Sequence, residues 1–199
     1  MRRVRSTIAA AVAALAAVVL SPGVARADAP STDRWYVLGN TATNYYAAVA
    51  GGSMVNGGKV IQWEGPYIPG SGGAYRTEQE WRVYDPEGDD WFFLINAKSQ
   101  KVMGVSGGAT ANGSKIIQWD RQNANFDQQW TFVGPGTTGH TNVPIYSDNY
   151  LLNRKSGRCL AVAGGDDGTS YEGQQLILFD CQNRDLPYDD RIWYTFHAA

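Results

Sequence analysis

The stretch NGGKVIQWE, which begins at Asn56, returns as NGSKIIQWD at Asn112. Extending both copies outward gives VAGGSMVNGGKVIQW from Val49 and VSGGATANGSKIIQW from Val105. A third version, VAGGDDGTSYEGQQLILF from Val162, carries a three-residue insertion. A second marker follows each copy: QEW at Gln79–Trp81, QQW at Gln128–Trp130 and a degenerate RIW at Arg191–Trp193. An aromatic-rich apolar start precedes each, WYVL from Trp35, WFFLI from Trp91 and YLL from Tyr150. A unit written three times constrains the fold more than any local signal. One such unit is too small to close a core, so the copies have to pack against one another.

Within a unit the apolar runs are four to six residues long, rich in Val, Ile and aromatics, and punctuated by Gly-Gly, Asn-Gly or Asp-containing turns. In the middle unit they cover Phe92–Ile95, Lys101–Val105, Lys115–Trp119 and Trp130–Val133, so four short strands per unit and twelve in all are expected. The 23 Gly, seven Trp and eleven Tyr suit turn-rich β-structure rather than helix or disorder. GPGTTGHTNVP (134–144) reads as the loop joining units two and three, and YIPGSGGAY (67–75) as a surface insertion in unit one.

The first 27 residues read as a secretory signal peptide rather than as fold. Arg2, Arg3 and Arg5 precede an apolar run from Ile8 to Leu20, and Ala25-Arg26-Ala27 fits a small-x-small cleavage site before Asp28. That run of 13 residues is shorter than the roughly 20 needed to cross a bilayer, which disfavours a permanent anchor. The expectation is a secreted, extracellular protein made of one domain, residues 28–199, with repeats at about 34–86, 90–134 and 148–197. Removing the leader removes four arginines and no acids, leaving 13 basic against 19 acidic residues. A net charge of −6 argues against a nucleic-acid partner, because phosphate binding needs clustered Lys and Arg. In an exported chain the two cysteines, Cys159 and Cys181, are most simply one disulfide.

Three β-units, each with a Gln-x-Trp near its end, resemble the ricin B-type β-trefoil lectins and related carbohydrate-binding modules. The resemblance runs from about Arg34 to His197, and CLAV at Cys159 and LFDC ending at Cys181 sit where that family places an intra-repeat disulfide. It implies an all-β fold, a β-trefoil of three four-stranded repeats with pseudo-threefold symmetry. It also implies that the Gln-x-Trp residues are structural, the Trp packing in the core and the Gln holding backbone.

Sugar pockets in that family place an aromatic at the end of the repeated QW stretch, here Trp63, Trp119 and Phe179. An aromatic wall suits the apolar face of a pyranose, while directed polar groups take its hydroxyls. The polar partners depart from the familiar galactose-binding pattern. An Asp inside C-L-D-V is replaced by Ala48, Gly104 and Ala161; a Gln two residues before the aromatic by Ile61, Ile117 and Ile177; and an Asn before Gln-x-Trp by Glu78, Asp127 and Asp190. Strand side chains alternate faces, so a one-residue slip would bring Gln62 and Gln118 to the pockets instead of Ile61 and Ile117. The candidate carbohydrate contacts are therefore Trp119, Asp127 and Gln118; Trp63, Glu78 and Gln62; and a weaker set of Phe179 and Asp190.

Enzyme signatures are absent from the sequence. His140 and His197 have no nucleophile elbow, metal-ligand spacing or phosphate loop around them, and GDDGTS lacks the alternating ligands of a calcium loop. Asp89-Asp90 and Asp166-Asp167 read as solvated turn acids rather than glycosidase pairs. The expectation is a monomeric, non-catalytic glycan- or polysaccharide-binding protein without cofactor or metal, its pockets weak singly and stronger on a multivalent surface. The rival is a protein-interaction or inhibitor module on the same scaffold, favoured by the missing pocket Asp.

Overall fold

The structure, a computed structural model, describes residues 33–65, 76–133, 149–165, 171–181 and 189–197. The leader, the loops at 67–75 and 134–144, His140 and the Asp166-Asp167 pair lie outside the described residues. Among those described, no helix is long and apolar enough to cross a membrane.

Unit one contributes β1 (Tyr36–Asn40), β2 (Tyr46–Val49), β3 (Val60–Trp63) and β4 (Glu80–Tyr84). Unit two contributes β5 (Phe93–Asn96), β6 (Val102–Val105), β7 (Ile116–Trp119) and β8 (Trp130–Val133). Unit three contributes β9 (Asn149–Asn153), β10 (Cys159–Val162), β11 (Leu176–Phe179) and β12 (Ile192–His197). All pairings are antiparallel. β1 pairs with β4 and β12, β4 with β5, β8 with β9, and β9 with β12, while a bridge from Phe92 to Trp130 brings the β5 side to β8 and closes the ring. This is a six-stranded barrel, which leaves no open sheet edge within it.

The remaining strands make the hairpins β2–β3, β6–β7 and β10–β11, which dock on one another in a cycle. Gly57 N–H donates to the carbonyl of Gln118 at 2.9 Å, Gly113 N–H to Leu178 at 2.8 Å, and Gly173 N–H to Gln62 at 2.9 Å. The threefold symmetry is thus written in backbone hydrogen bonds, and the fold is the β-trefoil that the sequence implies.

The core is symmetric too. Leu38, Leu94 and Leu151 come from the first strands of the three units, Val49, Val105 and Val162 from the second, and Trp81, Trp130 and Trp193 from the fourth, all of them buried in one cluster. Each tryptophan donates its indole N–H to the middle of its own unit's second strand, at Ala47 O (2.9 Å), Met103 O (3.0 Å) and Leu160 O (2.9 Å). A buried indole needs such a partner, which is why this position takes Trp with a carbonyl opposite. Cys159 and Cys181 are bonded, tying the start of β10 to a residue two positions beyond the end of β11. In the chain-entropy description a loop of this size stabilises the fold by about 3 kcal/mol.

Candidate functional site

In unit two a depression lies between the hairpin β6–β7 and the turn that leads into β8. Alternate residues of a strand share a face, so β7 delivers Ile117 and Trp119 to this depression. The 3-10 turn Phe126–Gln128 adds Asp127, and Gln122 and Asn125 form a polar edge. The cavity holds about 390 Å³, inside the roughly 300–1,000 Å³ typical of small-ligand sites. Trp119 is 40% exposed, a large ring left half in water in a unit that buries Trp130 completely.

Asp127 is the unusual group here. It is only 5% exposed, and its Oδ1 is buried without a hydrogen-bond partner. Burial pushes its carboxyl above the ordinary value, against the pull of the Lys155 ammonium and of its own backbone N–H. Gly108 makes room for this arrangement: at φ +61°, a Cβ there would stand 2.6 Å from Lys155 Nζ and 3.7 Å from Asp127 Oδ1. An unsatisfied buried acceptor costs free energy unless a donor arrives.

The structure also explains why position 104 carries no carboxylate. A Cβ on Gly104 would meet Gln128 Cγ at 2.9 Å, so the stem of Gln128 fills that space. Gln128 is itself structural, accepting from Gln122 N–H (2.8 Å) and donating to the carbonyl of Asp120 (3.0 Å). Gln79 does the same for Glu64 O at 2.8 Å. Both glutamines hold backbone, as expected.

Unit one has a smaller pocket of about 130 Å³, lined by Ala48, Ile61, half-buried Trp63 and Glu78. Here the carboxylate is engaged: Glu78 Oε2 lies 3.4 Å from Lys98 Nζ.

In the third set, Phe179 and Asp190 are both contacted by Arg191. Arg191 stands where the other units carry Gln, and its guanidinium lies 4.9 Å above the Phe179 ring. Asp190 Oδ2 accepts from Val162 N–H at 3.0 Å, and its Oδ1 lies 3.4 Å from Arg191. Asp190 is buried and engaged by Val162 and Arg191, so it is a structural acid here, while the half-buried Phe179 ring has Arg191 against it.

Gln62 and Gln118 are corrected as well. Both are fully buried, on the strand face opposite Ile61 and Ile117. Gln118 Nε2 donates to the carbonyls of Ser53 (2.8 Å) and Val55 (3.0 Å), and its Oε1 accepts from Ser99 Oγ (2.6 Å). Gln62 Nε2 donates to Tyr171 O (2.9 Å) and Gln174 Oε1 (2.6 Å). They join neighbouring hairpins instead of touching a pocket. Sequence reasoning missed Lys98 and Lys155, the cations that come to the pocket carboxylates. Their signal was the shared position two residues after Asn96 and Asn153.

Three hairpin-capped units around one barrel, each with an aromatic at the end of its third strand, define the β-trefoil class. The family model described as "Ricin-type beta-trefoil lectin domain-like" matches residues 77–179, more than half of the 199-residue chain. The protein belongs to this ricin-type β-trefoil lectin-like family, whose fold suggests carbohydrate binding. Among solved structures, it resembles the designed threefold-symmetric protein ThreeFoil at 26% identity and TM-score 0.62, over 81% of this chain and 96% of that one. The ricin B-like lectin of Macrolepiota procera, solved with lactose, matches at 14% identity and TM-score 0.62, over 85% and 99%. The exo-β-1,3-galactanase 1,3Gal43A of Clostridium thermocellum matches at 20% and TM-score 0.63, over 84% of this chain but 31% of that enzyme. The fold thus occurs both in lectins and as a part of larger enzymes. No curated protein matches in sequence.

Proposed function

We propose that this chain is a non-catalytic protein acting outside the cell, and that it binds neutral glycans at the unit-two pocket and more weakly at the unit-one pocket. The observation that carries this reading is the buried, unpartnered Oδ1 of Asp127 beside half-exposed Trp119. A sugar ring supplies both complements at once, C–H groups for the indole and a hydroxyl for the carboxylate. Asp127 takes over the role of the carboxylate missing at Gly104, from a different element. The net charge of the mature chain and the acids at both pockets favour a neutral ligand over an acidic one.

The test is calorimetric titration of the mature protein with glucose, xylose and galactose, alongside a screen of soluble polysaccharides. Saturable binding with dissociation constants on the order of 1 mM, near −4 kcal/mol, is expected for the favoured single sugar. It should be lost at the unit-two pocket in Trp119→Ala. The absence of saturable binding to every sugar and polysaccharide would overturn the reading. The exposed Met54, Val55 and Tyr171 would then favour the protein-interaction alternative.

A further inference from the structure

Among the described residues, three of the five exposed large apolar side chains lie on hairpin tips, the other two being Trp119 and Phe126. Met54 and Val55 (55% and 66% exposed) lie on the tip of β2–β3, and Tyr171 (65%) lies on the tip of β10–β11. Each tip leans toward the tryptophan of another unit. A Cβ on Gly57 would stand 3.8 Å from Cζ3 of Trp119, and one on Gly173 would stand 3.7 Å from Cζ3 of Trp63. Val55 and Tyr171 precede those glycines by two residues, so each lies within about 7 Å of chain of the contact. The unit-two pocket is therefore composite, its wall belonging to unit two and part of its rim to the hairpin of unit one, and the tip of β10–β11 stands against the Trp63 ring in the same way.

The tips are also held from below. Gln118 ties the carbonyls of Ser53 and Val55, and Gln62 ties the carbonyl of Tyr171, whose N–H donates to Gln174 Oε1 at 2.9 Å. A buried amide that fixes the backbone beneath a solvent-facing apolar side chain makes a platform. Unit three departs in every respect together. Leu178 stands where Gln62 and Gln118 stand, the tip that docks on it carries Ala111, and Phe179 lies under Arg191. Anchor, apolar tip and open tryptophan are present together at two pockets and missing together at the third.

Resting on the carbohydrate-binding reading above, we infer that Met54 with Val55 beside Trp119, and Tyr171 beside Trp63, are second subsites. They take the sugar linked to the one on the tryptophan, so the ligand is a run of two or more neutral sugars rather than a single terminal one. The second sugar meets an apolar side chain at each tip, with no charged residue between Ser53 and Gly57 and with Glu172 next to Tyr171, which suits the C–H face of a neutral pyranose. Gln62 and Gln118 are positioning residues for these subsites.

The experiment uses linear gluco-, xylo- and galacto-oligosaccharides of one to four sugars. It is run in a Trp63→Ala background, which isolates the unit-two pocket, and in a Trp119→Ala background, which isolates the unit-one pocket. Affinity should rise about tenfold from one sugar to two and then level off. Met54→Ser/Val55→Ser in the first background and Tyr171→Ser in the second should remove that gain while leaving monosaccharide affinity and the melting temperature unchanged, as expected for exposed side chains. Gln62→Leu and Gln118→Leu, which copy Leu178, should weaken the gain in the same selective way. Affinity that does not depend on length, or a gain that survives the tip substitutions, overturns the subsites and leaves single-sugar binding intact. No saturable binding at any length overturns both readings.

Discussion

Trp119 and Trp130 belong to the same unit and do opposite things. Trp130 is fully buried in the barrel and donates to Met103 O, whereas Trp119 stands 40% exposed at a pocket wall. Trp130→Ala should cost about 3–5 kcal/mol, a large share of a domain's stability. Trp119→Ala should leave the thermal melt close to wild type and remove binding at its pocket. Melts that fall equally would show that the two rings share one role. Asp127 makes a prediction of a different kind. Its folded carboxyl titrates above the ordinary value of 3.8 because burial disfavours the charge, so the folded state holds the proton more tightly than the unfolded chain does. The stability it contributes is full below pH 3.8 and lost as pH rises through the raised value. Asp127→Asn should therefore melt higher than wild type at pH 7 and nearly equally at pH 3, while binding sugar more weakly at pH 7. Wild-type binding should itself weaken as acidification protonates the carboxylate that receives the hydroxyl. A variant that is less stable at pH 7 would mean that Asp127 is a structural acid and not a held-open acceptor.

The turns between the first and second strands of each unit show what the sequence could and could not tell. Asn40, Asn96 and Asn153 are fully buried, and each donates to the carbonyl of a residue at the pocket turn: Asp190 (2.7 Å), Glu78 (3.0 Å) and Asp127 (3.0 Å). Their Oδ1 atoms accept from N–H groups two or three residues on, including Lys98 (3.2 Å) and Ser156 (3.1 Å). One side chain thus closes a tight turn and fixes the backbone of the acid that lines the neighbouring pocket. Asn96→Ala leaves those groups without partners, at about 1–3 kcal/mol for each one stranded in the interior. Denaturant unfolding should show a loss of at least about 2 kcal/mol with an unchanged slope; a loss below 0.5 kcal/mol would mean that water replaces the amide. The threefold Asn was visible in LGN, LIN and LLN, but its partners lie in other elements, and only the fold reveals them. The Gln-x-Trp markers and strand count were legible because they are local and periodic. Gln62 and Gln118 were not, since their faces depend on strand register, and register is set by how three hairpins dock on one another. The contact of Arg191 with Phe179 was hidden for the same reason, because the two meet across separate elements.

At the scale of the whole molecule, the trefoil places its pockets on separate units of one rigid body, so affinity for a polymer depends on how many of them are open. Trp119 is exposed and Trp63 is half-buried at a pocket, while the half-buried Phe179 has Arg191 against its ring, which makes the expected valency two rather than three. Neither open pocket should be strong alone, because one has its carboxylate paired to Lys98 and the other offers a single free acceptor. A second contact on the same polymer becomes intramolecular and can raise apparent affinity by about 10²–10⁴-fold without any new interaction, provided the polymer spans both pockets. Trp63→Ala and Trp119→Ala should therefore each bring polymer affinity down toward the value for a short oligosaccharide, and the double variant should abolish it. Phe179→Ala should leave polymer binding unchanged, a control that separates two sites from three. The measurement is retention on an immobilised polysaccharide compared with solution titration of its short fragments. A Phe179→Ala loss equal to that of Trp63→Ala would restore the third pocket to function. Polymer binding that survives the double variant would place the glycan surface elsewhere on the barrel.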